Sequence, residues 1–234
     1  MPDSLFKRLV AEFIGVFALC FIGIMAISVA AGDSGSSALV HIAFAHGLTI
    51  AVMVAALGAI SGAHFNPAVT FGFLAARRMD LPTAFAYIVA QLAGGLIAAI
   101  VIAVFFGGET VAGGTPQVAG GVTMAQAVVL EIITTFFLAL VVFGTAVDQR
   151  APKYVFPLAI GLTVVLDILA IGPLTGAAMN PARVFGPAVA SGTWSSHWVY
   201  WVGPLIGGGL AGALQQFFLL PGGLPRPGDE PEKA

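Results

Sequence analysis

Asn66-Pro67-Ala68 and Asn180-Pro181-Ala182 are the residues best placed to do chemistry, and that chemistry is hydrogen bonding rather than bond making. Asn suits a helix N-cap and Pro the first helical position, so each Asn-Pro reads as a helix start. Each copy sits in a longer matching frame. Ser61-Gly62-Ala63-His64-Phe65 leads into the first, and Thr175-Gly176-Ala177-Ala178-Met179 into the second. The offset of 114 residues from Asn66 to Asn180 also relates Gly47-Leu48-Thr49 to Gly161-Leu162-Thr163 and Gly94-Gly95-Leu96 to Gly208-Gly209-Leu210. One structural unit is written twice. Arg183 breaks the match, since the first copy has Val69 there. Four scattered His, a lone Cys20 and no Ser/His/Asp set, metal-ligand cluster or nucleotide loop point away from an enzyme, a metal or a cofactor.

These residues lie in a chain suited to lipid. Of 234 residues, 59% are hydrophobic and 9% charged, with mean hydropathy +1.00; a soluble domain carries about 25% charged residues. Apolar runs long enough to span a bilayer occupy roughly 9–31, 38–60, 82–106, 124–147, 154–172 and 197–220. They lack barrel-strand alternation and must be helices, because open backbone cannot face lipid. The first run follows Lys7-Arg8, but at about 23 residues it exceeds a signal-peptide core. The expected fold is therefore all-α, with six transmembrane helices.

Three spans per copy, an odd number, make the repeat inverted, so the two Asn-Pro-Ala segments approach from opposite faces. In transporters this arrangement puts the site near the midplane. Residues 66–76 and 180–190 are each long enough for about 16 Å of helix, half the hydrocarbon core, so two re-entrant half-helices are expected. Pro187 is expected to shorten the second. The stretches 61–65 and 175–179 are expected to be extended, with Gly62, Ala63, His64, Gly176 and Ala178 presenting carbonyls to a wet lumen. Residues 1–220 form one channel domain, with repeats at about 5–110 and 120–220, and 221–234 a disordered cytoplasmic tail. Lys7, Arg8, Arg77, Arg78, Arg150, Lys153, Arg226 and Lys233 all fall on one side, which is cytoplasmic, as are both termini. The formal net charge of −2 speaks against nucleic acid as a partner. The absence of a transit segment and the short tails point to a plasma or inner membrane.

Six spans, paired Asn-Pro-Ala half-helices in inverted repeats and Arg183 three residues after Asn180 resemble the aquaporins, the major intrinsic proteins, over roughly residues 5–220. Asp167-Ile168-Leu169-Ala170, Gly176-Ala177-Ala178-Met179-Asn180-Pro181-Ala182 and His197-Trp198-Val199-Tyr200-Trp201 are most similar to the plant tonoplast intrinsic branch. The resemblance implies a homotetramer with one pore per subunit. It also implies an outer selectivity filter at His46, Ile168, Ala177 and Arg183. Water-only members carry Phe and His where this chain has His46 and Ile168. Glycerol facilitators carry Asp after the filter Arg, where Val184 stands here. The plant ammonia-conducting branch adds a His from the loop between spans 3 and 4; residues 107–122 contain none.

The expected function is a passive channel for water, with ammonia and other small neutral solutes as further permeants, excluding protons and ions. The alternatives are a glycerol/urea-type facilitator and a secondary transporter. Asn66 and Asn180 would donate to the permeant. The half-helix N-termini, each carrying roughly half a positive charge, would repel cations. Arg183, costly at bilayer depth by about 3 kcal/mol unless it faces water or partners, is expected to be a filter donor held by carbonyls around 176–178. Glu12 and Glu131 head spans 1 and 4 symmetrically and are expected to accept from the N–H groups of the carbonyl-exposing stretches. Asp167 is expected to turn away from the lumen, and His41 and His197 to lie near the outer interface.

Overall fold

The structure, a computed structural model, describes residues 4–32, 35–152 and 154–220; Lys153, Arg226, Lys233 and the tail lie outside the described residues. The chain forms α1 (Leu5–Ala30), α2 (Ser36–Ser61), α3 (Pro67–Ala75), α4 (Leu81–Phe106), α5 (Gly108–Gly114), α6 (Met124–Val142), α7 (Phe156–Thr175), α8 (Pro181–Ser191) and α9 (Val199–Leu214). Helices α6 and α9 continue into π-helical turns at Phe143–Val147 and Gln215–Leu219. Six of these helices, including both π extensions, are long and apolar enough to cross a membrane.

Local chemistry sets the starts. Ser4, Asp80 and Thr123 cap α1, α4 and α6, Thr123 through a reciprocal capping box with Gln126. Asn66 and Asn180 cap the half-helices α3 and α8, each followed by Pro at the first position. The α8 helix runs on through Pro187 and, at 11 residues, is longer than the 9-residue α3. The expected shortening is not found: Pro187 forgoes one backbone bond, to the carbonyl of Arg183, and the rest of the helix is kept.

The repeats interlock. Within each, the first span packs on the second and third: α1 on α2 and α4, α6 on α7 and α9. Across them, α2 packs on α7, while each half-helix docks on the last span of the opposite repeat, α3 on α9 and α8 on α4. Glycines let these backbones touch. A Cβ on Gly47 would lie 2.5 Å from the carbonyl oxygen of Gly161. A Cβ on Gly95 would lie 2.5 Å from that of Ala182, and one on Gly72 would lie 2.8 Å from that of Gly208. The Asn-Pro-Ala alanines thus anchor the half-helices: Ala68 and Ala182 are wholly buried. The outward surface is apolar, with Val29, Val52, Phe85, Val104, Leu166 and Phe218 all exposed, as lipid-facing helices require.

Candidate functional site: a polar midpoint in a narrow cavity

The two half-helix tips meet through reciprocal hydrogen bonds. Asn66 Nδ2 donates to the Met179 carbonyl at 2.7 Å, and Asn180 Nδ2 to the Phe65 carbonyl at 2.8 Å. Each Asn Oδ1 accepts from its own half-helix, Asn66 from Ala68 N at 2.8 Å and Asn180 from Ala182 N at 3.0 Å. Both oxygens and one amide proton apiece are committed. One amide proton per Asn is left, and both Asn residues line the same cavity.

The stretches leading to the caps are not extended as the sequence reading expected. Gly62, Ala63 and Phe65 have φ of 89°, 50° and 48°; Gly176, Ala177 and Met179 have 84°, 44° and 52°. The reason lies in Glu12 and Glu131. Glu12 accepts from the backbone N–H of His64 at 3.0 Å and Phe65 at 2.7 Å; Glu131 from Ala178 at 3.0 Å and Met179 at 2.8 Å. Consecutive N–H groups of a pleated strand point to opposite sides, so one carboxylate reaches both only if the chain turns. Left-handed backbone costs about 1–2 kcal/mol per non-glycine residue, and charge-assisted bonds of about 1.5–3 kcal/mol offset it. Among the described residues no donor reaches the carbonyls of residues 62–64 or 176–178.

Further side chains complete the braces. Ser61 and Thr175 hydroxyls donate to Glu12 and Glu131 at 2.6 and 2.7 Å. Tyr87 and Tyr200 hydroxyls donate to the carbonyls of Ser61 and Thr175 at 2.7 and 2.8 Å. Gln91 Nε2 donates to Glu12 at 2.8 Å and to Thr70 at 3.0 Å, leaving its Oε1 buried without a partner. The sequence reading missed Tyr87, Tyr200 and Gln91. The signal available was their type: only three Tyr occur in the chain, and two fall inside spans.

At one end of the cavity stand His46, Ile168, Ala177 and Arg183, all buried and all lining it. His46 Nδ1 donates to the Ile42 carbonyl at 2.8 Å, and its Nε2 accepts from Arg183 Nη2 at 3.0 Å. A guanidinium only donates and a carbonyl only accepts, so the imidazole is neutral with its proton on Nδ1. The carbonyls around Gly176–Ala178, expected to hold Arg183, do not: its Nε and Nη1 have no protein partner. The imidazole lone pair takes the one bond that the side chain makes. The α5 loop covers Gly176, whose added Cβ would meet Pro116 at 2.9 Å.

The other half of the cavity is lined by Val54, Val69, Leu138, Val142, Ile160 and His64. His64 stacks on Phe73 with ring centroids 4.1 Å apart, and its Nδ1 lies 3.1 Å from Thr70 Oγ1. Gly62 and Gly176 are the left-handed C-caps of α2 and α7. Asp167 is buried in α7 away from the cavity, with Oδ2 unpartnered.

The family profile described as Major intrinsic protein matches residues 2–215. The chain is 46% identical over 215 residues to "Aquaporin TIP2-1" of Arabidopsis thaliana, covering 89% of this chain and 85% of that one. It is 42% identical over 232 residues to "Aquaporin TIP4-4" of Zea mays, covering 94% and 91%. It is 42% identical over 209 residues to "Aquaporin NIP1-1" of Zea mays, covering 88% and 72%. The X-ray structure of the aquaglyceroporin from Plasmodium falciparum shares the fold, with a TM-score of 0.79 at 24% identity over 92% of this chain and 97% of that one.

Proposed function

The chain belongs to the major intrinsic protein family and is a passive water channel of the membrane, and we propose that its outer constriction also admits ammonia. The observation that carries the reading is one cavity lined by Asn66, Asn180 and the four residues His46, Ile168, Ala177 and Arg183. A permeating water accepts the remaining amide protons of both Asn residues. Its hydrogens then point away from the midpoint, and it relays no proton. The positive ends of α3 and α8 face the same point and disfavour cations. Arg183 adds a fixed positive charge. Arg183 bonded to His46 faces an apolar wall of Ile168 and Ala177. An aperture half polar and half apolar suits a weakly polar solute better than a ring of four donors does.

Residues 1–220 act as one channel domain, working as a homotetramer with one pore per subunit. Both termini are cytoplasmic and the Arg183 end faces outward, in a plasma or inner membrane. Basic residues at one end of the bundle support this orientation: Arg8 donates to Tyr87 at 2.7 Å and Arg78 to Gln216 at 3.4 Å, and Arg77 lies over the ring of Phe217. The test is osmotic shrinkage of proteoliposomes, with an internal pH dye reporting ammonia entry and with urea and glycerol alongside. Faster shrinkage and faster alkalinisation than in empty vesicles are expected. Alkalinisation equal to that of empty vesicles removes ammonia, and shrinkage equal to theirs removes the channel.

A further inference from the structure

We propose that Gly23 of α1 is a specificity-determining position of the outer constriction, because the side chain it lacks lets His46 lie against α1 and hold Arg183. The inference rests on the reading of His46 and Arg183 as filter residues. A Cβ built on Gly23 overlaps His46 Nε2 and falls 2.9 Å from its Cδ2. That Nε2 is the atom that accepts from Arg183 Nη2 at 3.0 Å. The ring has little freedom elsewhere: its other nitrogen is tied to the Ile42 carbonyl at 2.8 Å, and the residue is 1% exposed. A methyl group arriving from α1 drives the imidazole away from α1, toward the cavity on its other face. The Arg183 bond is then lost and the guanidinium is released beside Ile168.

The repeat supplies an independent argument. The first spans of the two repeats are related by the offset from Glu12 to Glu131, which is 119 residues and pairs Leu19 with Leu138. Both of these leucines line the cavity, so the register holds in space. The same offset pairs Gly23 with Val142, and Val142 is a lining side chain at the opposite end. His46 pairs with Ile160 through the 114-residue offset, and both line the cavity. Position 23 is thus a wall position whose side chain is missing. At the inner end two walls share the bulk as Val and Ile; at the outer end span 1 contributes none and span 2 contributes an imidazole.

The experiment compares wild type, Gly23→Ala, His46→Ala and the double variant in proteoliposomes, measuring ammonia entry and water-driven shrinkage. Gly23→Ala is expected to lower the ammonia-to-water ratio about tenfold, the discrimination a single methyl group gives in a tight site. In the His46→Ala background the same change is expected to leave the ratio untouched. A wild-type ratio in Gly23→Ala overturns the proposal, as does an equal fall in both backgrounds. Where Gly23→Ala does not fold, recovery of a folded channel in the double variant supports the clash with the imidazole, and failure to recover refutes it. An unchanged ratio in His46→Ala alone strikes at the filter reading, whereas a changed ratio there beside an inert Gly23→Ala strikes only at Gly23.

Discussion

His46 Nε2 and Arg183 Nη2 lie 3.0 Å apart and join residues 137 positions distant, one from each repeat. The bond holds Arg183 through an imidazole instead of a backbone carbonyl, so the residue at position 46 decides where the guanidinium points. His46→Phe combined with Ile168→His frees Arg183 and moves the polar wall to the other side of the aperture. Ammonia flux is expected to fall at least about tenfold while water flux persists, measured by pH-dye entry and vesicle shrinkage. Equal ammonia permeability in the double variant defeats the account.

Glu131→Gln replaces one acceptor oxygen by an NH₂ group facing donors. Thr175 Oγ1 and the N–H groups of Ala178 and Met179 all point at that carboxylate, so at least one buried donor loses its partner. A cost of about 1–3 kcal/mol is expected, seen as a lower unfolding temperature of the detergent-solubilised protein together with reduced water flux. A variant with wild-type stability and flux would show that the carboxylate is not what shapes residues 176–179.

Asn180→Asp puts a second oxygen where Nδ2 now sits 2.8 Å from the Phe65 carbonyl. Two acceptors then face each other, and a negative charge enters where the two positive helix ends meet. The expected result is a sodium or proton leak in vesicles that the wild type lacks. Cation exclusion unchanged from wild type would remove the helix ends and Asn180 from the barrier.

Glycines in this bundle differ in what they tolerate. A Cβ on Gly161 overlaps the Gly47 carbonyl and comes within 2.6 Å of Ala51 Cβ, both on a packed helix that cannot yield locally. Gly161→Ala should cost about 1–3 kcal/mol or more. On Gly58 the nearest atom is Phe156 Cε2 at 3.6 Å, an ordinary contact, and Gly58→Ala should gain up to about 1 kcal/mol of helix propensity. Thermal unfolding of the two variants should move in opposite directions.

His197 carries a pH dependence of known sign. Burial among Phe185, Trp194 and Trp201 lowers its pKa below the ordinary 6.5, and its Nε2 accepts from Trp201 Nε1 at 3.0 Å. A group whose folded pKa is lowered favours folding above its unfolded value. That contribution is complete above about pH 6.5 and declines as the pH falls through and below that value. Tryptophan fluorescence should therefore report loosening of the turn before α9 in mild acid, and His197→Gln should abolish the pH response. Identical titrations in both proteins would exclude it.

The motifs announced the architecture because their physics is local. Asn-Pro starts a helix wherever it stands, apolar runs of bilayer length are helices, and an odd number of spans inverts a repeat. The six spans and both half-helix starts are therefore found within a few residues of the expected places. What failed depended on partners that are distant in sequence. Glu12 and Glu131 hold Ala63, Phe65, Ala177 and Met179 in left-handed backbone, which their residue types do not declare; only Gly62 and Gly176 are types that favour it. The partner of Arg183 was misjudged for a similar reason. A neutral imidazole has one lone-pair nitrogen, and which one it is depends on the partner of the other, here the Ile42 carbonyl. Gly23 passed unnoticed because it matters through an absence.

The crossed amide bonds, Asn66 to the Met179 carbonyl and Asn180 to the Phe65 carbonyl, mean that neither half of the polypeptide owns a finished tip. Until its mate is threaded into the bilayer the other way up, the first half leaves an amide and a peptide oxygen stranded in oil.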